Sequence, residues 1–494
     1  MTLAEERLRQ LDSHSLTADE RVLLRCGVAA EFIHAGQYEA AREALGELWR
    51  GVGERPEVEG MPPEVAAEVL LQCGALTGLH GGELNIPGAQ ERAKDLLTEA
   101  AREFRSQGNY RKASEAECEL GACYWRLGAH DDARVIMREA LEPLTESDVE
   151  LKAKIHVRRT LVEFSENRYY EVLNILREAE AVFESANDSL KGRWHGQKAL
   201  VLEMLAEAER NPGHFDRAIL EYTAAIYHYE RAKHERYCAR NLNNLAMVFY
   251  KVSRYREAHE QLDRAQVIFT SLKDAGSLAQ VDETRARVLV AEGKYREANR
   301  ILAPAVRTFE QGGESALLAD ALTLQGVVWA RLGDNDASAA VLPRAADMAE
   351  RLGARNNAGL AVLTFIEEHA ERRAIPAEEI YEAYRRADGL LKDTQDAADV
   401  ARLRACAQPV MRRLAGLRLR DKDFTFYGAV HEVEARLIED ALEEAGGSLV
   451  RAARLLGLKH QTLASMLQTR HRELMSKRTP KGKRLRSIIK EPKE

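Results

Sequence analysis

Ser253-Arg254-Tyr255-Arg256-Glu257-Ala258, Gly293-Lys294-Tyr295-Arg296-Glu297-Ala298 and Gly333-Asp334-Asn335-Asp336-Ala337-Ser338 are three passes of one pattern, forty residues apart. A small turn residue comes first, often an aromatic stands two positions on, and a small residue follows three later. Working outward, the pattern recurs as Gly36-Tyr38-Ala41, Gly88-Gln90-Ala93, Gly128-His130-Ala133, Asn167-Tyr169-Val172 and Gly213-Phe215-Ala218. The first residues are spaced by 52, 40, 39, 46, 40, 40 and 40. Self-similarity at such a period marks a repeat array, and a chain of 494 residues is too long for one core.

The residue types follow from what each position must do. Glycine ends one helix where the backbone turns left-handed and the chain reverses. The aromatic fills the wedge between paired helices, and the alanine lets the second helix approach its neighbour closely. A first helix precedes each turn, as in Leu120-Gly121-Ala122-Cys123-Tyr124 and Leu245-Ala246-Met247-Val248-Phe249. Hydrophobic residues make up 45% and aromatics only 6%, and strong helix formers dominate. An all-α fold is expected. None of the 12 prolines is expected to interrupt a long periodic segment.

These residues resemble the tetratricopeptide repeat, with Leu-Gly-x-x-Tyr before a turn and Gly-x-Tyr-x-x-Ala after it. The resemblance covers about residues 25–350 in eight units, with degenerate pairs to Ala405, so residues 1–405 are expected to form one α-solenoid. Similar long repeats occur in kinesin light chains and in sensor domains of bacterial regulators. Arg159 and Arg285 stand where the pattern has leucine, and Asn167 and Ser253 where it has the turn glycine. In the 52-residue gap, Gly81-Gly82-Glu83-Leu84-Asn85-Ile86-Pro87 reads as an inserted loop. The resemblance implies a superhelix whose concave groove takes a peptide or protein ligand. Asn243 and Asn244, with Arg240 beside them, occupy groove positions from which an asparagine can clamp a peptide backbone.

Other features exclude whole classes of function. Cys26, Cys73, Cys118, Cys123, Cys238 and Cys406 have no CxxC or zinc-finger spacing, so reduced thiols packed as small apolar groups are expected. Tyr222 to Tyr229 reads as an inter-repeat core rather than a cofactor box. His228 and His234 are six apart, wrong for two metal ligands on one helix face. No Walker A loop, GxGxxG after a strand, GxSxG or HExxH occurs, so neither an enzyme, a cofactor nor a metal site is expected. The N-terminus has no basic-then-apolar signal and no apolar run approaches the ~20 residues of a membrane span. A cytoplasmic protein without membrane contact is expected.

The net charge of −7 is unevenly spread. Residues 451–494 hold 13 Lys/Arg against 3 acidic residues, so the preceding 450 carry −17. A basic end on an acidic body points that end toward a polyanion. Residues 406–425 read as a linker or connecting helix, and 426–475 as three helices. The first runs from about Ala429 to Glu444 and ends at Gly446-Gly447. Ser448 caps a short second helix, Val450 to Leu456, and Gly457 makes the turn into a third, His460 to Arg470.

Ala441-Leu442-Glu443-Glu444-Ala445-Gly446-Gly447-Ser448 followed by Ala452-Ala453-Arg454-Leu455-Leu456-Gly457-Leu458 resembles the Fis-type helix-turn-helix. The resemblance implies close packing at Ala453, the sharp turn at Gly457, and a small core of Leu456, Leu458, Leu463 and Leu467. It implies that His460, Gln461, Thr462 and Ser465 face the major groove of double-stranded DNA, with Arg451, Lys459 and Arg470 near phosphates. It also implies a homodimer formed through the first helix. Ala464 and Ser465 depart from the basic residues usual in such recognition helices, which shifts base reading toward His460 and Gln461. In the basic tail (residues 476–494), Lys483, Arg484 and Arg486 are candidate phosphate contacts. A regulator whose solenoid senses a partner and whose module binds DNA is the first reading. A protein-interaction scaffold with a degenerate module is the second.

Overall fold

The computed structural model describes residues 16–34, 37–83, 86–313, 315–372, 375–394, 396–414 and 425–477. Every regular element among them is a helix. The chain divides into two units, Met1–Thr308 and Phe309–Glu494.

The first unit holds α1 (Ala18–His34), α2 (Tyr38–Leu45), α3 (Pro63–Glu83), α4 (Ala89–Ser106), α5 (Tyr110–Arg126), α6 (His130–Glu139), α7 (Val149–Ser165) and α8 (Tyr169–Glu178). After the short α9 (Glu180–Ser185) come α10 (Asp188–Ala208), α11 (Pro212–Arg231), α12 (Glu235–Lys251), α13 (Tyr255–Ser271), α14 (Ala275–Ala291) and the start of α15 (Tyr295–Gln311). Consecutive helices pack as pairs, and successive pairs stack. The repeated small residue drives this. Ala93, Ala133, Ala218, Ala258 and Ala298 are completely buried where the second helix meets its neighbours. The glycine of the first helix serves the same contact from the other side: a Cβ on Gly121 would lie 2.6 Å from Met137 Cγ.

The second unit continues with α16 (Ala316–Leu332), α17 (Asn335–Arg351), α18 (Arg355–His369), α19 (Ala377–Leu391) and α20 (Ala397–Leu414). Here a Cβ on Gly326 would lie 2.5 Å from Leu342. Then follow α21 (Phe426–Glu444), α22 (Leu449–Leu455), α23 (His460–Thr469) and a 3-10 turn, Arg472–Lys477. The architecture is an all-α tetratricopeptide-type solenoid followed by a helix-turn-helix.

From α12 to α17 the backbone keeps a finer beat than the sequence pattern suggests. Each helix has 17 residues. A left-handed residue falls every twenty positions, at Lys233, Ser253, Lys273, Gly293, Gly313, Gly333 and Gly353. The forty-residue period is thus two near-equal strokes, with a left-handed residue closing both helices of a pair.

Several expectations need correction. The left-handed residue between α10 and α11 is Arg210, not Gly213, which sits in the first turn of α11 under its cap Asn211. Three extra residues enter that turn, while buried Ala218 keeps the forty-residue register with Ala258. Gly81 and Gly82 belong to the last turn of α3, because a Cβ on Gly81 would meet Ala89 Cβ at 2.5 Å. The 52-residue gap instead accommodates the non-α-helical stretch 46–62 between α2 and α3. Pro304, Pro343 and Pro409 do lie inside helices. Pro304 is on the exposed face, where a bent ladder can reach water. Ala405 is not a boundary, since α20 runs on to Leu414 with Cys406 and Val410 buried. All six cysteines are buried and unbridged. No helix among the described residues is long and apolar enough to cross a membrane.

Candidate nucleic-acid interface and partner groove

The C-terminal module is built from its turns outward. Thr425 caps α21 by accepting from Gly428 N at 3.1 Å. Gly446 and Gly447 both adopt left-handed backbone, which no side chain would allow cheaply, and Gly447 N donates to Leu442 O at 2.7 Å. Ser448 occupies the start of α22 without a side-chain cap. At the second turn Gly457 has φ 66°, and Leu458 N donates to Ala453 O at 2.8 Å. The turns fold α22 and α23 against α21 over a core of Ile438, Leu442, Ala453, Leu463 and Leu467. Leu456 only borders that core and Leu458 is exposed, because the tight turn leaves the latter outside the three-helix contact.

On the outer face of α23, His460, Gln461, Thr462 and Ser465 are exposed. Arg451 and Lys459 flank them, exposed and, among the described residues, without an ion pair. Arg454 shares this situation one helical turn from Arg451. Sequence reasoning passed it over, although its i, i+3 spacing from Arg451 was a usable signal. Arg470 is exposed too, but its Nη1 lies 3.2 Å from Glu434 of α21, so its charge is already shared. Lys477 is bound by Glu439 and Glu443, whose carboxylates push its pKa up to about 12. Lys483, Arg484 and Arg486 lie outside the described residues.

Along α21, Tyr427 (84% exposed), Val430 and Leu437 (51% exposed) are three and seven positions apart. They therefore lie along one side of the helix. Ile438 and Leu442, on the adjacent side of the helix, enter the core.

In the first unit the expected groove residues take different roles. Asn244 is half-buried beside the hydroxyl of buried Tyr222. That hydroxyl donates to Glu203 at 3.0 Å, and Glu203 pairs with Lys251 at 2.6 Å. Asn243 is half-buried, and its Oδ1 has no hydrogen-bond partner among the described residues. Arg240 is exposed, 5.9 Å above the ring of Tyr237.

Tyr237 also lies under Arg193, at 5.2 Å. Arg193 lines a cavity of about 300 Å³ between the first helices of three successive pairs, α5, α7 and α10. Its wall carries Arg111, Lys154, Glu115 and Glu150 over Leu151 and Leu190. Arg193 and Arg240 thus extend one polar surface from the cavity toward Asn243. A regular spacing of charged residues on first helices was the signal that sequence reasoning did not use.

Residues 429–467 match the family model described as Bacterial regulatory protein, Fis family. The module is a Fis-type helix-turn-helix. A search of curated proteins finds no match. Among solved structures, the chain is similar to a Rap protein complexed with Competence and Sporulation Factor, at 18% identity and a TM-score of 0.48. That match covers 74% of this chain and 100% of the other. It is also similar to aspartyl phosphate phosphatase F from Bacillus subtilis, at 14% identity and TM-score 0.45, covering 78% and 97%. NprR in complex with its cognate peptide NprX matches at 12% identity and TM-score 0.42, covering 72% and 99%.

Proposed function

We propose that this chain is a DNA-binding transcriptional regulator, in which the solenoid senses a peptide or protein partner and the C-terminal module binds duplex DNA. The observation that carries the reading is the Fis-type module with its exposed polar face. His460 and Gln461 offer donors and acceptors suited to purine edges, and Thr462 and Ser465 extend the same surface. Arg451, Arg454 and Lys459 supply unpaired charge at its border, where phosphates would lie. The exposed side of α21 suits a homodimer, whose half-sites would then be about 34 Å apart. The cavity among α5, α7 and α10, continued by Arg193 and Arg240, suits an extended peptide carrying both charge signs. Such a protein works in the cytoplasm, at the nucleoid when bound, and performs no catalytic step.

Residues 460–469 contain no Lys or Arg, which favours the second reading, a scaffold whose module touches proteins only. Binding of the full-length chain to duplex fragments across a salt series separates the two. A steep log–log slope with retained preference among fragments supports the regulator. No binding at low salt by a folded module leaves the scaffold. The truncation that tests the tail removes residues 478–494 and spares 470–477, because His471 and Leu474 are buried in the module.

A further inference from the structure

Behind the exposed face of the module, His431 of α21, His471 and Glu473 come together, with one ligand atom from each within 4.8 Å of the others. The hydrogen bonds fix which nitrogens are available. Nε2 of His431 lies 2.6 Å from the carbonyl of Arg470, and a carbonyl only accepts, so that nitrogen carries the proton. Nε2 of His471 lies 3.1 Å from the Glu434 carboxylate, so it too is the donor. In each neutral ring the lone pair is therefore on Nδ1.

His471 is completely buried, and its Nδ1 has no hydrogen-bond partner. The nearest charged group is the Glu473 carboxylate at 3.6 Å. A lone pair facing a carboxylate is repulsive, and only a cation between them makes the contact attractive. Imidazoles whose far N–H is held by a carbonyl or carboxylate are the arrangement found behind metal-bound histidines, where it fixes tautomer and ring direction.

We propose that His431, His471 and Glu473 bind one divalent transition-metal ion of the zinc class, with Glu434 and the Arg470 carbonyl as supporting acceptors. Two imidazoles and one carboxylate suit Zn²⁺, while Mg²⁺ and Ca²⁺ prefer all-oxygen sites. Bonds of about 2.0–2.2 Å require the donors to close in slightly. Glu473 and His431 are both exposed and have room to do so. A water completes the coordination. The ion would tie α21 to the segment leaving α23, holding the C-terminal end of the recognition helix in place.

The test uses the full-length chain, stripped with a chelator and titrated with Zn²⁺ by calorimetry and with Co²⁺ by visible absorption. Wild type is expected to take up one equivalent that the double variant His431→Gln/Glu473→Gln lacks. Each single variant should bind at least about tenfold more weakly, and Glu434→Gln about 10–100-fold more weakly. The exposed residues carry the test because replacing buried His471 risks the fold, and circular dichroism verifies that the variants are folded. Equal stoichiometry and affinity in wild type and the double variant would overturn the proposal.

Discussion

Nη2 of Arg158 lies 2.8 and 2.7 Å from the two carboxylate oxygens of Glu119, joining α7 to α5 across 39 positions of sequence. Nη1 of the same guanidinium donates to the Cys118 carbonyl at 2.7 Å, and Lys154 Nζ stands 2.8 Å from Glu119. Burial alone would raise the pKa of Glu119. Arg158 and Lys154 more than offset it and hold the carboxyl well below the usual carboxylate range. An ionic cluster therefore ties the first helices of two successive pairs, beside the apolar contacts that stack them.

Removing Glu119 strands two cations at a buried position. Glu119→Ala is expected to destabilise the first unit by about 3–5 kcal/mol, read as a shift in denaturant midpoint. The pH dependence has a definite sign, because the folded pKa is depressed. The contribution is present above about pH 4.3, the unfolded value, and is lost as pH falls toward the folded pKa. Glu119→Gln should lack this acid-range increment. A Glu119→Ala midpoint equal to that of wild type would show that the cluster adds nothing to stability.

The twenty-residue beat gives a paired prediction. Gly293 and Lys273 occupy equivalent left-handed positions, φ 77° and 54°. Gly293→Val forces a branched side chain into that conformation and should cost about 1–2 kcal/mol. Lys273→Gly relieves the same strain and should stabilise, by less than about 1 kcal/mol because glycine also loosens the unfolded chain. If both substitutions lower the thermal midpoint, the left-handed positions are not the constraint that sets the turns.

Only half of that beat was legible. The turns inside the pairs carry glycine or an aromatic two positions on, and they announce themselves. Those between pairs carry Lys233 and Lys273, which look like ordinary helix surface residues, or Gly313 and Gly353 with no aromatic two positions on. Gly213 misled for the opposite reason: a glycine near a turn need not be the residue that turns. The helix-turn-helix could be read because its two turns require glycine backbone at fixed spacing from small apolar residues. Partners set by tertiary contact were invisible. Nothing in the sequence says that Tyr222 donates to Glu203, or that Arg470 pairs with Glu434.

In the second unit, Ser338 donates its hydroxyl to the Gly326 carbonyl at 2.7 Å and so accepts from His369 Nε2 at 2.9 Å. Nδ1 of His369 is buried without a hydrogen-bond partner. Burial, with Arg372 nearby, pushes the histidine pKa down to about 4. The unfolded chain therefore binds the proton more readily. This site's contribution is complete above about pH 6.5 and is lost as pH falls from there toward 4. His369→Gln keeps a donor for Ser338 and should flatten that part of the stability profile. An unchanged slope between pH 6.5 and 4 would mean that His369 is not the group that titrates.

Two neighbouring asparagines should separate structure from recognition. Asn244→Ala removes an amide beside the buried Tyr222 hydroxyl and is expected to cost about 1 kcal/mol of stability. Asn243→Ala removes an oxygen that has no partner, so stability should stay within about 0.5 kcal/mol. Under the proposed function, Asn243→Ala together with Arg193→Ala weakens capture of a partner by the solenoid. Pull-down with each folded variant checks the assignment, and an Asn244 variant that is fully stable would reverse it.

Lys459 and Gln461 stand two positions apart at the entry to α23, both exposed, yet their substitutions should fail differently. If Lys459 meets a phosphate, Lys459→Ala weakens binding to all duplexes alike and lowers the salt slope by about 1. If Gln461 reads a base edge, Gln461→Ala leaves the slope intact and removes about 1–3 kcal/mol of discrimination at one base pair. The contrast depends on geometry, since a point charge on a flexible stem follows the backbone while an amide pairs with one donor–acceptor pattern. Equal effects of the two variants on every fragment would mean that α23 does not enter the major groove, and the basic border alone would then account for binding.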